Sequence, residues 1–132
     1  MYAERNNKLD ELMCLAQEIQ DFLEFKVSDE PNILVDRLSE INSYIATSGK
    51  LLADAKYLLD EKMEKAFIVY DDKISNMPPS VATKFISSLC KEENYLVNWS
   101  ERLNRSLVHI GDNTRTQVSW AKEEMSLTRK GY

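Results

Sequence analysis

Apolar residues recur along this chain at steps of three and four over stretches much longer than a strand. Leu9, Leu12, Ala16, Ile19 and Leu23 keep that spacing near the start, and Leu34, Leu38, Ile41, Ile45, Leu52, Ala55, Leu59 and Ala66 carry it through the middle. Leu103, Leu107, Ile110, Thr114, Val118, Ala121 and Met125 resume it toward the end. Such spacing lays one stripe along an α-helix, and it predicts three helices, over about 4–27, 31–75 and 80–129. The first stops at Ser28-Asp29-Glu30-Pro31, where Ser28 or Asp29 is expected to cap the second helix and Pro31 to occupy its first turn. Ala46 to Lys50 resembles a loop by propensity, yet the alternation passes through Gly49 without losing phase, so one continuous helix is expected. Gly49 would cost that helix about 1 kcal/mol relative to Ala, and marks either a bend or a close helix contact; Gly111, in the middle of the third helix, is with Gly49 a candidate for close backbone approach or for a ligand against the helix. Asn76-Met77-Pro78-Pro79-Ser80 forces the chain to turn, because proline cannot continue a helix and disfavours helical geometry in the residue before it.

Only three Gly and three Pro interrupt 132 residues. Few turns imply few, long elements, which excludes a β-rich fold. The expected fold is all-α: a long antiparallel helical hairpin plus an N-terminal helix, in a single domain spanning 1–132. Helices of 45 to 50 residues would be roughly 65–75 Å long, too extended for one hairpin to bury its own seams. A helical bundle or coiled-coil homo-oligomer is therefore expected.

Charge and cysteine content narrow the function classes. The net charge is −5, with 11 Lys/Arg against 18 Asp/Glu in residues 1–100 and 6 against 4 in residues 101–132. An acidic chain lacks the continuous basic surface that nucleic acid requires, although a small anion at the C-terminal helix is compatible with it. Cys14 and Cys90 stand alone, so a disulfide framework is not expected, and both read as small core residues of a protein in a reducing compartment. Neither a signal peptide nor a membrane span is legible, and a cytoplasmic location, in a bacterial host cell, is expected. His109 is the only histidine, so a His-pair metal site, a His-assisted nucleophile or a Glu-x-x-His di-iron motif cannot be written. No cofactor and no enzymatic activity are expected.

The candidate chemistry lies on the third helix, in a second ladder of Arg105, His109, Asp112, Thr116, Ser119 and Glu123, with Arg102, Arg115 and Lys122 at its margins. Guanidinium groups steadied by a carboxylate suit bidentate recognition of phosphate or carboxylate. The competing reading is a polar network between helices, in which Asp112 pairs with Arg105 or Arg115 and sets register. Trp99, Trp120 and Tyr95 offer flat apolar faces for stacking on a planar group. Trp120, off the seam and beside the ladder, is the stronger of these. Asn94 and Asn98 precede Arg102 and Arg105 at helical spacing and would extend the polar face.

The run Arg102-Leu103-Asn104, then His109, Asp112, Arg115-Thr116, Ser119 and Lys122 resembles a motif of small all-helical proteins encoded by phages and prophages, over residues 80–130. The resemblance implies that Arg102, Asn104, Arg105, His109, Asp112, Arg115, Thr116, Ser119, Trp120 and Lys122 form a ligand site. Small phage-encoded oligomers without catalytic groups include sponges that sequester nucleotide-derived immune signals between subunits. By analogy, the chain is expected to be a non-enzymatic homo-oligomer that binds a small anionic, nucleotide-like ligand. The alternative is a structural or assembly coiled coil whose ladder sets register or binds a partner helix. A third reading, a single-stranded nucleic-acid accessory protein, would need a basic groove assembled across subunits.

Overall fold

A computed structural model describes residues 2–131, with side chains from residue 7 onward. All regular structure is helical: α1 (Tyr2–Glu24), α2 (Pro31–Val69), α3 (Asp71–Ile74), α4 (Pro79–Ser88) and α5 (Lys91–Arg129). α2 and α5 have 39 residues each, and each is about 58 Å long. They lie antiparallel: Lys62 of α2 meets Glu93 of α5, Ser48 meets Asn104, and Asn42 meets Arg115. α1 docks against both.

α2 runs through Gly49 unbroken, as its periodicity predicts, because the buried stripe of Leu34, Ile41, Ser48, Leu51 and Ala55 never leaves α5. Gly49 marks no contact. A Cβ there would meet nothing within 4 Å, whereas one on Gly111 would stand 3.3 Å from Ile41 Cγ2 and 3.6 Å from Ile45 Cδ1. The close approach of the pair is therefore at Gly111. The helix cap also differs from expectation: Ser28 Oγ accepts from the Glu30 N–H at 3.2 Å, ahead of the helix, and Pro31 takes the first turn.

Two of the expected helices are broken. The second ends at Val69 rather than near residue 75, where Tyr70 (φ −104°, ψ 20°) turns its ring edge-on to Phe85 at 5.4 Å. Aromatic packing outweighs straight continuation there. The third splits at Leu89–Cys90. The amides of Leu89 and Cys90 bond three residues back, to Ile86 and Ser87, and the Asn94 side chain donates to the Ser87 carbonyl at 3.2 Å. This tightening lets Ile86 and Cys90 both reach full burial, and it removes Asn94 from the polar face.

The core joins Leu9, Leu12, Ala16 and Ile19 of α1 to Leu51 and Ala55 of α2 and Leu96, Leu103 and Leu107 of α5. Cys90 belongs to the buried set, but Cys14 is exposed, on the outer face of α1. The hydroxyl of buried Ser100 has no hydrogen-bond partner. Near the start of α5, Lys62 Nζ donates to Glu93 Oε1 at 3.0 Å, across a carboxylate that is 7% exposed. Burial acts to lower the Lys62 pKa, but the hydrogen bond and charge of Glu93 outweigh it and hold it above 10.5. Burial, aided by Glu93 and opposed by Lys62, pushes the Cys90 thiol up and keeps it protonated.

The total accessible surface is 9300 Å², whereas a compact monomer of this mass, 15.3 kDa, would expose about 7,100 Å². Among the described residues, no helix is long and apolar enough to cross a membrane.

Gly49→Ala is expected to stabilise the fold by about 0.5–1 kcal/mol, since the new methyl meets open space and reduces unfolded-chain entropy. Gly111→Leu should cost about 2 kcal/mol or more by wedging α2 from α5; denaturant titration of both variants checks the pair. Lys62→Met strands the Glu93 carboxylate and should cost about 2 kcal/mol, less than a fully buried pair because Lys62 is partly exposed. A raised folded-state lysine pKa adds stability that is complete below pH 10.5 and lost as pH climbs through the folded value. The wild type should therefore lose its advantage over Lys62→Met in melts taken above that pH.

Candidate functional site

α5 presents one exposed polar stripe because its opposite side is committed to the seam. With about 100° per residue, Arg102, Arg105, His109, Thr116 and Trp120 fall within about 60° of one another, away from buried Leu103, Leu107, Gly111, Thr114 and Val118. Arg102, Arg105, His109, Asp112, Arg115, Thr116, Ser119, Trp120 and Lys122 are all exposed. Arg102 and Lys122 lie about 30 Å apart along the helix, so the ten predicted residues do not converge on one pocket.

Two of them, Asn104 and Arg115, tie α5 to α2. Asn104 sits about 100° from Arg105, at the seam margin, and its amide donates to Ser48 Oγ at 2.9 Å and toward the Ile45 carbonyl at 3.4 Å. Arg115 occupies the same margin about three turns on. Its guanidinium bonds Asp112 Oδ1 at 2.9 Å and Asn42 Oδ1 of α2 at 3.1 Å. The Asp112–Arg115 pair lies within α5, three residues apart, so the contact that crosses to α2 is Arg115 with Asn42, and Asp112 itself reaches no other helix in these bonds. Thr116 Oγ1 donates to the Asp112 carbonyl at 3.2 Å, a bond local to its own helix.

What remains is concentrated toward the first half of α5. Arg102 and Arg105 make no hydrogen bond or ion pair among the described residues, and with Asn98, Glu101, Tyr95 and Trp99 they line an open groove of about 520 Å³. Tyr95 and Trp99 pair with ring centroids 5.7 Å apart and planes at 51°. Trp99 Nε1 donates to Gln20 Oε1 of α1 at 3.0 Å, so α1 orients the indole. Tyr95, 59% exposed, leaves its face open. The aromatic partner of the arginines is thus Trp99 with Tyr95. Trp120 stands about 22 Å beyond Arg105 along the axis. Helical spacing pointed to Asn98 and Trp99, whereas the anchoring of Trp99 by Gln20 spans 79 positions and leaves no local trace in the chain.

Two unpaired guanidinium groups beside a part-buried indole and an exposed phenol can hold a phosphate or carboxylate while a planar group stacks alongside. Glu101 on the rim disfavours a dense polyanion and favours a ligand of limited charge. Among the described residues, no cluster of three or more His, Cys, Asp or Glu side chains is arranged to hold a metal ion. Fold and groove together define an all-α protein with a cationic and aromatic helix face. Comparisons with protein-family models, curated proteins and solved structures found no match to the chain.

The division of labour has a direct consequence. Asn104→Ala, which removes the bond to Ser48, should destabilise the protein by about 1 kcal/mol, whereas Arg102→Ala and Arg105→Ala should change stability by less than about 0.5 kcal/mol. Chemical denaturation of the three variants reads the contrast.

Proposed function

We propose that this protein is a non-enzymatic helical homo-oligomer that captures a small anionic ligand with a planar group, with a nucleotide-derived signal as the chemical type. The supporting observation is the pair Arg102 and Arg105, without hydrogen-bond or ion-pair partners among the described residues, beside the Tyr95–Trp99 pair. The two arginines bind the anionic group, Asn98 reads a polar edge, and the aromatic faces hold the ring. His109, one turn beyond Arg105, borders the same stripe. The resemblance to phage-encoded helical proteins supports sequestration as the purpose of such capture. A homo-oligomer accounts for the surface the isolated chain leaves uncovered. Trp120, too distant to join Arg102 in one chain, would then approach a ligand only from a neighbouring copy.

The second reading, an assembly module without a small ligand, is favoured by one specific observation. Arg115 ties Asp112 to Asn42, so that part of the ladder already holds α5 against α2.

Denaturing protein purified from bacterial cells and analysing the released small molecules by mass spectrometry separates the two. The binding reading expects a stoichiometric phosphorylated or carboxylated aromatic compound, reduced at least tenfold in Arg102→Ala/Arg105→Ala, which retains its melting temperature and native mass. An oligomer without bound compound that also fails to bind a panel of mono- and cyclic dinucleotides in calorimetry supports the assembly module instead.

A further inference from the structure

At the junction of α1 and α2 the structure holds a second groove, of about 620 Å³, with a different chemistry. Four carboxylates surround it, Glu18 and Asp21 from α1 and Asp36 and Glu40 from α2. Phe25, 70% exposed, and Ile33 supply apolar surface between them. The one cation in the lining, Arg37, stacks 3.6 Å from the Phe22 ring centroid and donates to the Phe22 carbonyl, so it closes the α1–α2 corner. None of the four carboxylates makes an ion pair among the described residues. The groove therefore combines exposed apolar surface with a net negative rim.

The complementary surface is on α5. Val118 is its last buried residue, and from Lys122 onward every described residue is exposed, so the seam face of the final two turns has no cover among the described residues. That face continues as Ala121, Lys122, Met125 and Arg129, all within about 60° of the Val118 direction, whereas Glu123 and Glu124 lie on the far side with Trp120 and Leu127. The uncovered face is thus apolar and purely cationic. The groove can also take its length: residues 122–129 extend about 12 Å, and the α2 wall of the groove, from Ile33 to Tyr44, about 18 Å.

We infer that the last two turns of α5 dock in the α1–α2 groove of a second copy, Met125 packing on Phe25 and Ile33 while Lys122 and Arg129 meet Asp36, Glu40 and the α1 carboxylates. This specifies the interface of the homo-oligomer proposed above and is independent of the anion site. A two-fold arrangement satisfies it twice, because each copy offers one groove and one tail. It also covers much of the surface in excess of a compact monomer.

A reciprocal charge exchange tests it in the full-length chain, at exposed positions only. One variant carries Lys122→Glu and Arg129→Glu, the other Asp36→Lys and Glu40→Lys, each checked for helical content and melting. Native mass spectrometry and light scattering should show a dimer or a multiple of it for the wild type, and a rise of at least tenfold in dissociation constant for each variant alone. Mixing the two variants should restore a one-to-one heteromer, since both tail–groove contacts are then of opposite sign. A monomeric wild type overturns this interface and the homo-oligomer together. An oligomeric wild type whose mass survives both exchanges overturns the docking alone, as does a mixture that stays monomeric.

Discussion

Because α2 and α5 are each about 58 Å long and lie side by side, the seam between them decides where every other group can stand. One close contact in it is where Gly111 leaves room for Ile41 and Ile45. A side chain there would push the helices apart over several turns, since a rigid helix transmits a local displacement along its axis. The polar contacts sit at the edges of this apolar strip, with Asn104 on Ser48, Arg115 on Asn42 and Lys62 on Glu93. Those contacts select register more than they add stability, because a one-residue slip would leave each group without its partner.

The seam also divides the chemistry of α5. Facing α2, polar residues are used in pairs. Facing away, Arg102 and Arg105 have no hydrogen-bond or ion-pair partner among the described residues and border an aromatic pair on that helix, which α1 positions through Gln20 and Trp99. The short first helix thus stabilises the core and shapes the groove at the same time. At the two ends of α2 the molecule exposes apolar surface of different kinds. Ile68 and Val69 stand uncovered at the turn into α3, and Phe25 and Ile33 line an acidic groove near the opposite end.

The all-helical class and the continuity of α2 through Gly49 were readable from periodicity, because a buried stripe repeats at the same residues that the helix geometry brings to one side. The ladder on α5 was readable for the same reason. The interruptions at Tyr70 and at Leu89–Cys90 were not, since they arise where Tyr70 seeks Phe85 and where Ile86 and Cys90 are both drawn into the core. Asn104 and Asp112 show the matching limit at the site. Spacing placed them in a polar run, but a residue's distance around the helix from the seam, which depends on where the neighbouring helix lies, turned them inward or sideways.

The sequence by itself determined the helical class, the apolar seams, the elongated proportions and the set of chemically capable residues on α5, because these follow from local geometry with a period of 3.6. Only the tertiary structure decided that Gly111 rather than Gly49 is the contact point, that Asn104 and Arg115 hold helices together while Arg102 and Arg105 stay free, and that Trp99 rather than Trp120 adjoins them. It also brought four carboxylates, from positions 18 to 40, around one apolar groove. The physical reason is common to all of these. Each depends on which residues of separate helices share the same height and side, and periodicity along one helix carries no information about the height of its neighbour.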